Sequence, residues 1–372
     1  MIFLINNSNM IPDRLLLEKC YTQVLNPERC DCCNCILTKE DIQNNNKMLL
    51  EAKESVSSGV IIYHGVSRNQ NVICIATGLD GSSKNVKTGA MVQIYIINAS
   101  IDPVDAKTAG KDVSICGDCI LRREKICYVN AGQGPKNVYN AYHNNSYLPI
   151  FPVNQENNIE DDKSKKVSRF KGKSPEEITQ IYLSEGNWEI FTGKYVRFGA
   201  YGDPTIIPFP ILEKIATTCA GFTGYTHQWK NAIFNGYKKF LMASVDFPSD
   251  YETANLQGWR TFRVTHDWTS KAQNEIPCEN SIDGTKCIDC LKCCGNTLHA
   301  KNIYVKVHGK KGDVKNFLKN FGQIQYPDPI SPEELEVINK MEAREESLAK
   351  VKKEKRKLNK IRNLNINTHL FG

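Results

Sequence analysis

No stretch of this chain approaches the roughly 20 consecutive apolar residues of a membrane-spanning helix, so a membrane protein is not expected. The opening MIFLINNSNMIPDRLLLEKC lacks both the basic n-region and the long apolar core of a secretory signal, so no secretory leader is expected either. Together these two lacks place the protein in the cytoplasm (a host's, if the chain is phage-encoded) and its 15 cysteines in a reducing compartment. There, thiols are more readily explained by metal binding than by disulfides. Large apolar groups are scarce in NNIEDDKSKKVSRFKGK, which reads as a surface insertion over 155–173. Acids thin out after Lys350, where KVKKEKRKLNKIR carries much of the net charge of +7. Such an arm suggests contact with nucleic-acid phosphates through Lys352, Lys353, Lys355, Arg356 and Lys357.

What the chain does have is cysteine in groups. Cys116, Cys119 and Cys127 are spaced C-x2-C-x7-C, and Cys278, Cys287, Cys290 and Cys293 are spaced C-x8-C-x2-C-x2-C, with Cys294 as a spare. Short loops of this kind can aim several thiolates at one centre. Three protein ligands leave a coordination position open for chemistry, whereas four close the site. Spacing alone does not choose between zinc and an iron–sulfur cluster. A further group, Cys30, Cys32, Cys33 and Cys35, lies in a polar leader over 1–58, and Cys20, Cys74 and Cys219 read as small buried hydrophobes.

At 372 residues and 41% hydrophobic, the chain can build one large domain or two ordinary ones. VIIYHGV, NVICIATGL and AMVQIYIIN read as strands separated by turn residues. Ser174-Pro175-Glu176-Glu177 and Ser331-Pro332-Glu333-Glu334 each give the start of a helix: serine cap, proline in the first position, acids in the first turn. Between them the chain alternates. KYVRFGAYG, FTGYTHQW, KFLMASVD and RTFRVTHD read as strands, with FPILEKIATTCA, KNAIFNGYK and SDYETANLQ as the intervening helices and KNIYVKVHG as a later strand. Alternation of this kind predicts an α/β fold with a parallel sheet, best drawn as a partial or complete (β/α) barrel over 59–325 with cysteine-rich metal-binding loops. An open doubly wound sheet is the second choice. Residues 326–372 form a charged C-terminal tail, expected as an exposed helix over 333–363 that the fold can do without.

Active sites of parallel α/β folds form at the C-terminal ends of the strands. Four consecutive ends here carry polar groups, at Asp203, His227, Asp246 and His266-Asp267. The histidines are natural proton carriers near neutrality. Asp203 follows Gly202, a residue that lets backbone come close to a ligand. Each also has a plainer reading: Asp203 before Pro204 makes a turn, and Asp246 caps the next helix.

VRFGAYGDPTIIPFPILEKIATTC resembles the second strand–loop–helix of radical S-adenosylmethionine enzymes. By that resemblance Tyr201, Gly202, Asp203 and Pro204 meet the methionine amino group. Cys116, Cys119 and Cys127 hold an iron–sulfur cluster, although that superfamily commonly spaces them C-x3-C-x2-C. The group from Cys278 to Cys293 is then an auxiliary cluster or a zinc site. CGDC…CYVN, GAYGDP, GYTHQW, ASVD and GWRTFRV together look like a family of tailed-phage proteins. KFLMASVDFPSDYETANLQGWRTFRV is also similar to the late barrel of tRNA-guanine transglycosylases. That similarity implies exchange of guanine for a 7-deazaguanine in DNA or RNA, with Asp203 as base, Asp246 or Asp267 as nucleophile and a structural zinc. A non-catalytic, zinc-stabilised nucleic-acid-binding protein is the remaining alternative. Oligomeric state is not legible in the sequence.

Overall fold

The computed structural model describes residues 58–83, 85–123, 126–127, 129–151, 170–296, 301–308, 311–321 and 331–369. The cysteines at 30, 32, 33 and 35 and most of the expected insertion lie outside the described residues.

Eleven strands are described: β1 Gly59–Ser67, β2 Gln70–Thr77, β3 Val92–Asn98, β4 Leu148–Pro149, β5 Tyr195–Tyr201, β6 Gly221–Thr223, β7 Tyr225–Thr226, β8 Met242–Val245, β9 Thr261–Thr265, β10 Glu275–Pro277 and β11 Asn302–Lys306. They form a six-stranded sheet in the order β4-β1-β2-β3-β5-β6 and a five-stranded sheet in the order β10-β11-β9-β8-β7. β1, β2 and β3 pair antiparallel. From β3 onward every described pairing is parallel. The parallel α/β character expected from the alternation is therefore present, and the polar ends of β5, β7, β8 and β9 lie along one edge. A closed barrel is not: among the described residues no pairing joins β10 to β3 or β4. β3 cannot close the row because its other edge is occupied by β2, which the hairpin β1–β2 delivers. That hairpin turns on Arg68 and Asn69, both at positive φ (48° and 60°), the conformation a two-residue turn between twisted strands requires.

One segment serves both sheets. Its first half, β6, pairs with β5, and its second half, β7, pairs with β8, with Gly224 between them. Around it the core is built from strand residues buried on both faces, among them Ile62, Ile75, Ile94, Ile96 and Phe198. Continuous apolar runs such as VQIYIIN suit this position, since helices cover parallel sheets on their faces.

Both Ser-Pro-Glu-Glu starts form reciprocal capping boxes. Ser174 Oγ accepts from the Glu177 amide while Glu177 accepts from the Ser174 amide, and Ser331 and Glu334 do the same. KNAIFNGYK, expected as an α-helix, is a 3-10 helix over Ala232–Lys239 capped by Asn231. Gly236 in its centre and the β-branched and aromatic residues before it disfavour an α-helix. Phe170 departs from the surface insertion expected over 155–173: it is buried and stacked on Tyr182 with ring centroids 5.5 Å apart.

The C-terminal helix, Pro332–His369, is only partly the free tail that the sequence suggests. Ile338 and Met341 are buried against Trp268, Tyr304 and Val305. Lys271 pairs with Glu334, Lys306 with Glu345 at 3.0 Å, and Arg344 donates to the Asn280 carbonyl. Beyond this docked portion, residues 346–359 are exposed, Lys352, Lys353, Lys355, Arg356 and Lys357 included. No helix among the described residues is long and apolar enough to cross a membrane.

Candidate functional site

The loop after β3 carries Cys116, Cys119 and Cys127, and the fold fastens it to the strand ends. The Asp203 amide donates to the Ile115 carbonyl at 2.7 Å, and Gln228 Nε2 donates to the Cys116 carbonyl at 3.2 Å. Gly117 makes the turn between the first two cysteines at φ +55°, where a Cβ would come within 2.5 Å of the Gln228 amide. Lys107 holds the third cysteine from the other side, its Nζ 3.0 Å from the Cys127 carbonyl. Burial pushes the Cys116 thiol far up, and Cys119, Cys127, Asp112 and Asp203 push it further. Burial also raises Cys127, with Cys119 adding to it. The three thiols therefore act on one another electrostatically, a property of neighbours.

His227 stands beside them. Burial works against its charged form, yet Cys119 and Asp246 together lift its pKa well above the ordinary histidine value. Its Nε2 lies 3.7 Å from Asp246 Oδ2, an ion-pair distance rather than a hydrogen bond. The two line a small pocket of about 110 Å³ at the ends of β7 and β8, together with Trp229, Lys230 and Ser244.

Asp203 belongs to the same neighbourhood in a different capacity. Its carboxylate accepts from Thr205 N and Oγ1, from Thr226 Oγ1 at 2.8 Å and from the His227 amide at 2.9 Å. It is 6% exposed and caps the short 3-10 helix Pro204–Ile206. Gly202 is required by packing, since a Cβ there would sit 2.7 Å from Ile96 Cβ, and Tyr201 and Pro204 are buried. All four residues of this motif thus make contacts within the protein, and Asp203 ties the end of β5 to the backbone that carries His227. Asp203→Asn puts an amide N–H among these donors and is expected to cost about 1–3 kcal/mol. Urea unfolding of the two proteins checks this; an unchanged midpoint would mean that the carboxylate is not committed to these bonds.

His266 and Asp267 form a pair of their own, with Nε2 2.7 Å from Oδ2. Asp267 Oδ1 also accepts from Thr269 Oγ1 and the Ser270 amide. No described contact joins this pair to His227 or Asp246. The strand-end residues therefore divide into Asp203–His227–Asp246 and His266–Asp267.

The second cysteine group docks where the strands begin. The Cys287 and Ile288 amides donate to the Lys87 and Thr88 carbonyls just ahead of β3, and the Gly224 amide donates to the Cys293 carbonyl. Arg260, which nothing in the sequence marked, holds the loop from beneath by donating to the Lys292 carbonyl at 2.9 Å and to the Gly295 and Lys301 carbonyls. Burial pushes Cys293 far up, and Cys278, Cys287 and Cys290 add to it. Cys290 is raised to about 11, again chiefly by burial. Among the described residues, no three His, Cys, Asp or Glu side chains stand in metal-ligating geometry. The thiols are gathered in two places without being drawn onto a single point.

Between the two groups runs a chamber of about 330 Å³. Arg197, Tyr225, Phe262 and Val305 form its walls; Leu121 and Ile126 of the first cysteine loop close one part, and Cys278, Cys287 and Cys293 line another. Comparison with known proteins returns no matching family model, no matching curated protein and no matching solved structure.

Proposed function

We propose that this is a phage-type, cytoplasmic metalloenzyme of the radical S-adenosylmethionine-like kind, acting on a nucleotide, nucleic acid or small metabolite. The observation that carries the reading is the grouping of three mutually acting thiols, Cys116, Cys119 and Cys127, with His227 and Asp246 at the strand ends. Thiols that burial and repulsion keep protonated are suited to give up protons to a metal, because the ion meets the thiolate charge that the protein otherwise resists. Three thiolates leave one position open, and an iron–sulfur cluster held there supplies electron transfer to a ligand at that position. Cys278, Cys287, Cys290 and Cys293 are the proposed ligands of a second, closed centre.

The protein's own part is positional and acid–base. Gln228 and Lys107 fix the backbone of the first and third cysteines. Asp203 fixes the amide of His227, and Asp246 stabilises that imidazole in its charged form. His227 is then a proton donor facing the pocket that it shares with Asp246. The exposed lysines of the tail are the proposed contact for nucleic-acid phosphate.

Anaerobic purification with metal and sulfide analysis tests this. Brown protein with stoichiometric iron and sulfide is expected, bleached in Cys116→Ala with loss of S-adenosylmethionine cleavage. Colourless protein with stoichiometric zinc, and base exchange that survives Cys116→Ala but not Asp267→Ala, would replace this reading with a transglycosylase.

A further inference from the structure

The chamber between the cysteine groups has an uneven lining. Lys87, Arg197 and His308 line it, and among the described residues not one aspartate or glutamate does. Arg197 is held in the wall by β5 and donates to the Tyr225 hydroxyl at 3.3 Å. The groups that act most on Lys87 are Cys278, Arg197, Cys287 and Lys352, with no carboxylate among them. The rest of the wall is apolar. Phe262 lies stacked on Tyr225, with ring centroids 4.4 Å apart and planes 10° from parallel, and Val264, Val305, Leu121 and Phe317 continue that surface. Polar and apolar parts are segregated: the cations stand near Cys287, and the apolar residues reach the loop of the first cysteine group.

We propose that this chamber binds the substrate, and that the substrate is a small organic anion, a carboxylate or phosphate on an apolar or aromatic body. The inference rests on the proposed enzymatic reading and adds the substrate class to it. A guanidinium and an ammonium in a cavity without carboxylates supply charge-assisted donors for oxyanions, and low local dielectric strengthens them. The stacked Tyr225–Phe262 wall supplies the flat apolar contact that orients the body. With its anionic end at Lys87 and Arg197, the ligand presents its apolar end to Leu121 and Ile126, and so to the loop that carries Cys116, Cys119 and Cys127. The second group of thiols does not substitute for the ligand in this scheme, since Arg197 reaches Tyr225 and the open chamber as well as Cys287.

Calorimetric titration of the purified protein, with its native metal content, tests the proposal using phenylpropionate, phenyl phosphate and the neutral phenylpropanol. Both anions are expected to bind, and the alcohol at least about tenfold more weakly. Whichever anion binds more tightly separates a carboxylate substrate from a phosphate. Arg197→Gln and Lys87→Gln should each weaken the anions by about tenfold and leave the alcohol unchanged, whereas Phe262→Ala should weaken all three. Equal binding of anions and alcohol, or variants that bind anions like the parent, would overturn the proposal. So would anion binding that falls only in step with metal content, because the cations would then be serving the thiolates. A protein that contains no metal yet binds anions through Lys87 and Arg197 would refute the metalloenzyme reading and leave the chamber assignment standing.

Discussion

Alanine in place of either Arg263 or Glu275 is expected to destabilise the protein by about 3–5 kcal/mol, because each leaves its partner's charge buried and unmatched. The pair is almost sealed from solvent, with side-chain exposures of 3% and 0%. Arg263 Nε lies 2.9 Å from Glu275 Oε1, and its Nη2 reaches both Glu275 Oε2 and the Ser270 carbonyl. Glu275 in turn accepts from the Ala272 amide at 2.8 Å. These bonds fasten the stretch between β9 and β10, which carries His266 and Asp267, onto β9 itself. Breaking the pair should therefore loosen that stretch as well as lower stability. Replacing both partners by apolar residues, as in Arg263→Met with Glu275→Leu, should recover most of the loss, since no bare charge then remains. Chemical unfolding decides the matter. Single variants within about 1 kcal/mol of the parent would place the pair among the weak, solvated ones.

Met341→Ala should cost about 2–5 kcal/mol, a large effect for a residue on a helix that begins as a polar tail in sequence. Met341 is completely buried and Ile338 nearly so, and both fill the space between Trp268 and Tyr304. Ending the chain at Pro332 would remove both residues along with the ion pairs at Glu334 and Glu345, and should unfold this side of the protein. Ending it at Lys350 removes only exposed residues and should leave stability within about 0.5 kcal/mol. The same shorter chain separates the two roles of the helix. Loss of Lys352, Lys353, Lys355, Arg356 and Lys357 should lower nucleic-acid affinity and flatten its dependence on salt. Affinity that stays the same would make those lysines a solvated face and nothing more.

The sequence was most legible where one residue type has one physical use. Ser-Pro-Glu-Glu gave both helix starts because only the serine oxygen, the missing proline N–H and the returning glutamate satisfy those amides together. Alternation placed the strands, and parallel pairing then set Asp203, His227, Asp246 and Asp267 along one edge, as expected of such a sheet. What remained hidden was the partner of each group. An aspartate after a strand looks the same whether it faces a ligand or, as Asp203 does, the amide of a neighbouring strand end. A glycine beside it looks the same whether it admits a cofactor or, as Gly202 does, the flank of Ile96. The chamber was hidden too. Its lining comes from β5, β7, β9, β11 and both cysteine loops, and no local pattern joins Arg197 to Phe262 or Lys87. The open barrel has a similar origin, because period-two patterning marks VIIYHGV and NVICIATGL as strands without saying that they pair antiparallel and occupy the free edge of β3.

Gly224 stands where one sheet hands over to the other. Its amide donates to the Cys293 carbonyl at 2.9 Å, its carbonyl accepts from the Met242 amide at 3.0 Å, and a Cβ on it would lie 2.7 Å from Leu241. In mechanical terms the second cysteine loop is a rivet through the joint between two plates. Without that fastening the joint would keep its pairings with β5 and β8 but lose the restraint that fixes the angle between them. Disorder in the loop would then spread beyond the surface, letting β5 and β8 splay and changing the width of the chamber they help to wall. The chain thus links the order of a thiol-bearing loop to the shape of a cavity bounded by residues about a hundred positions away.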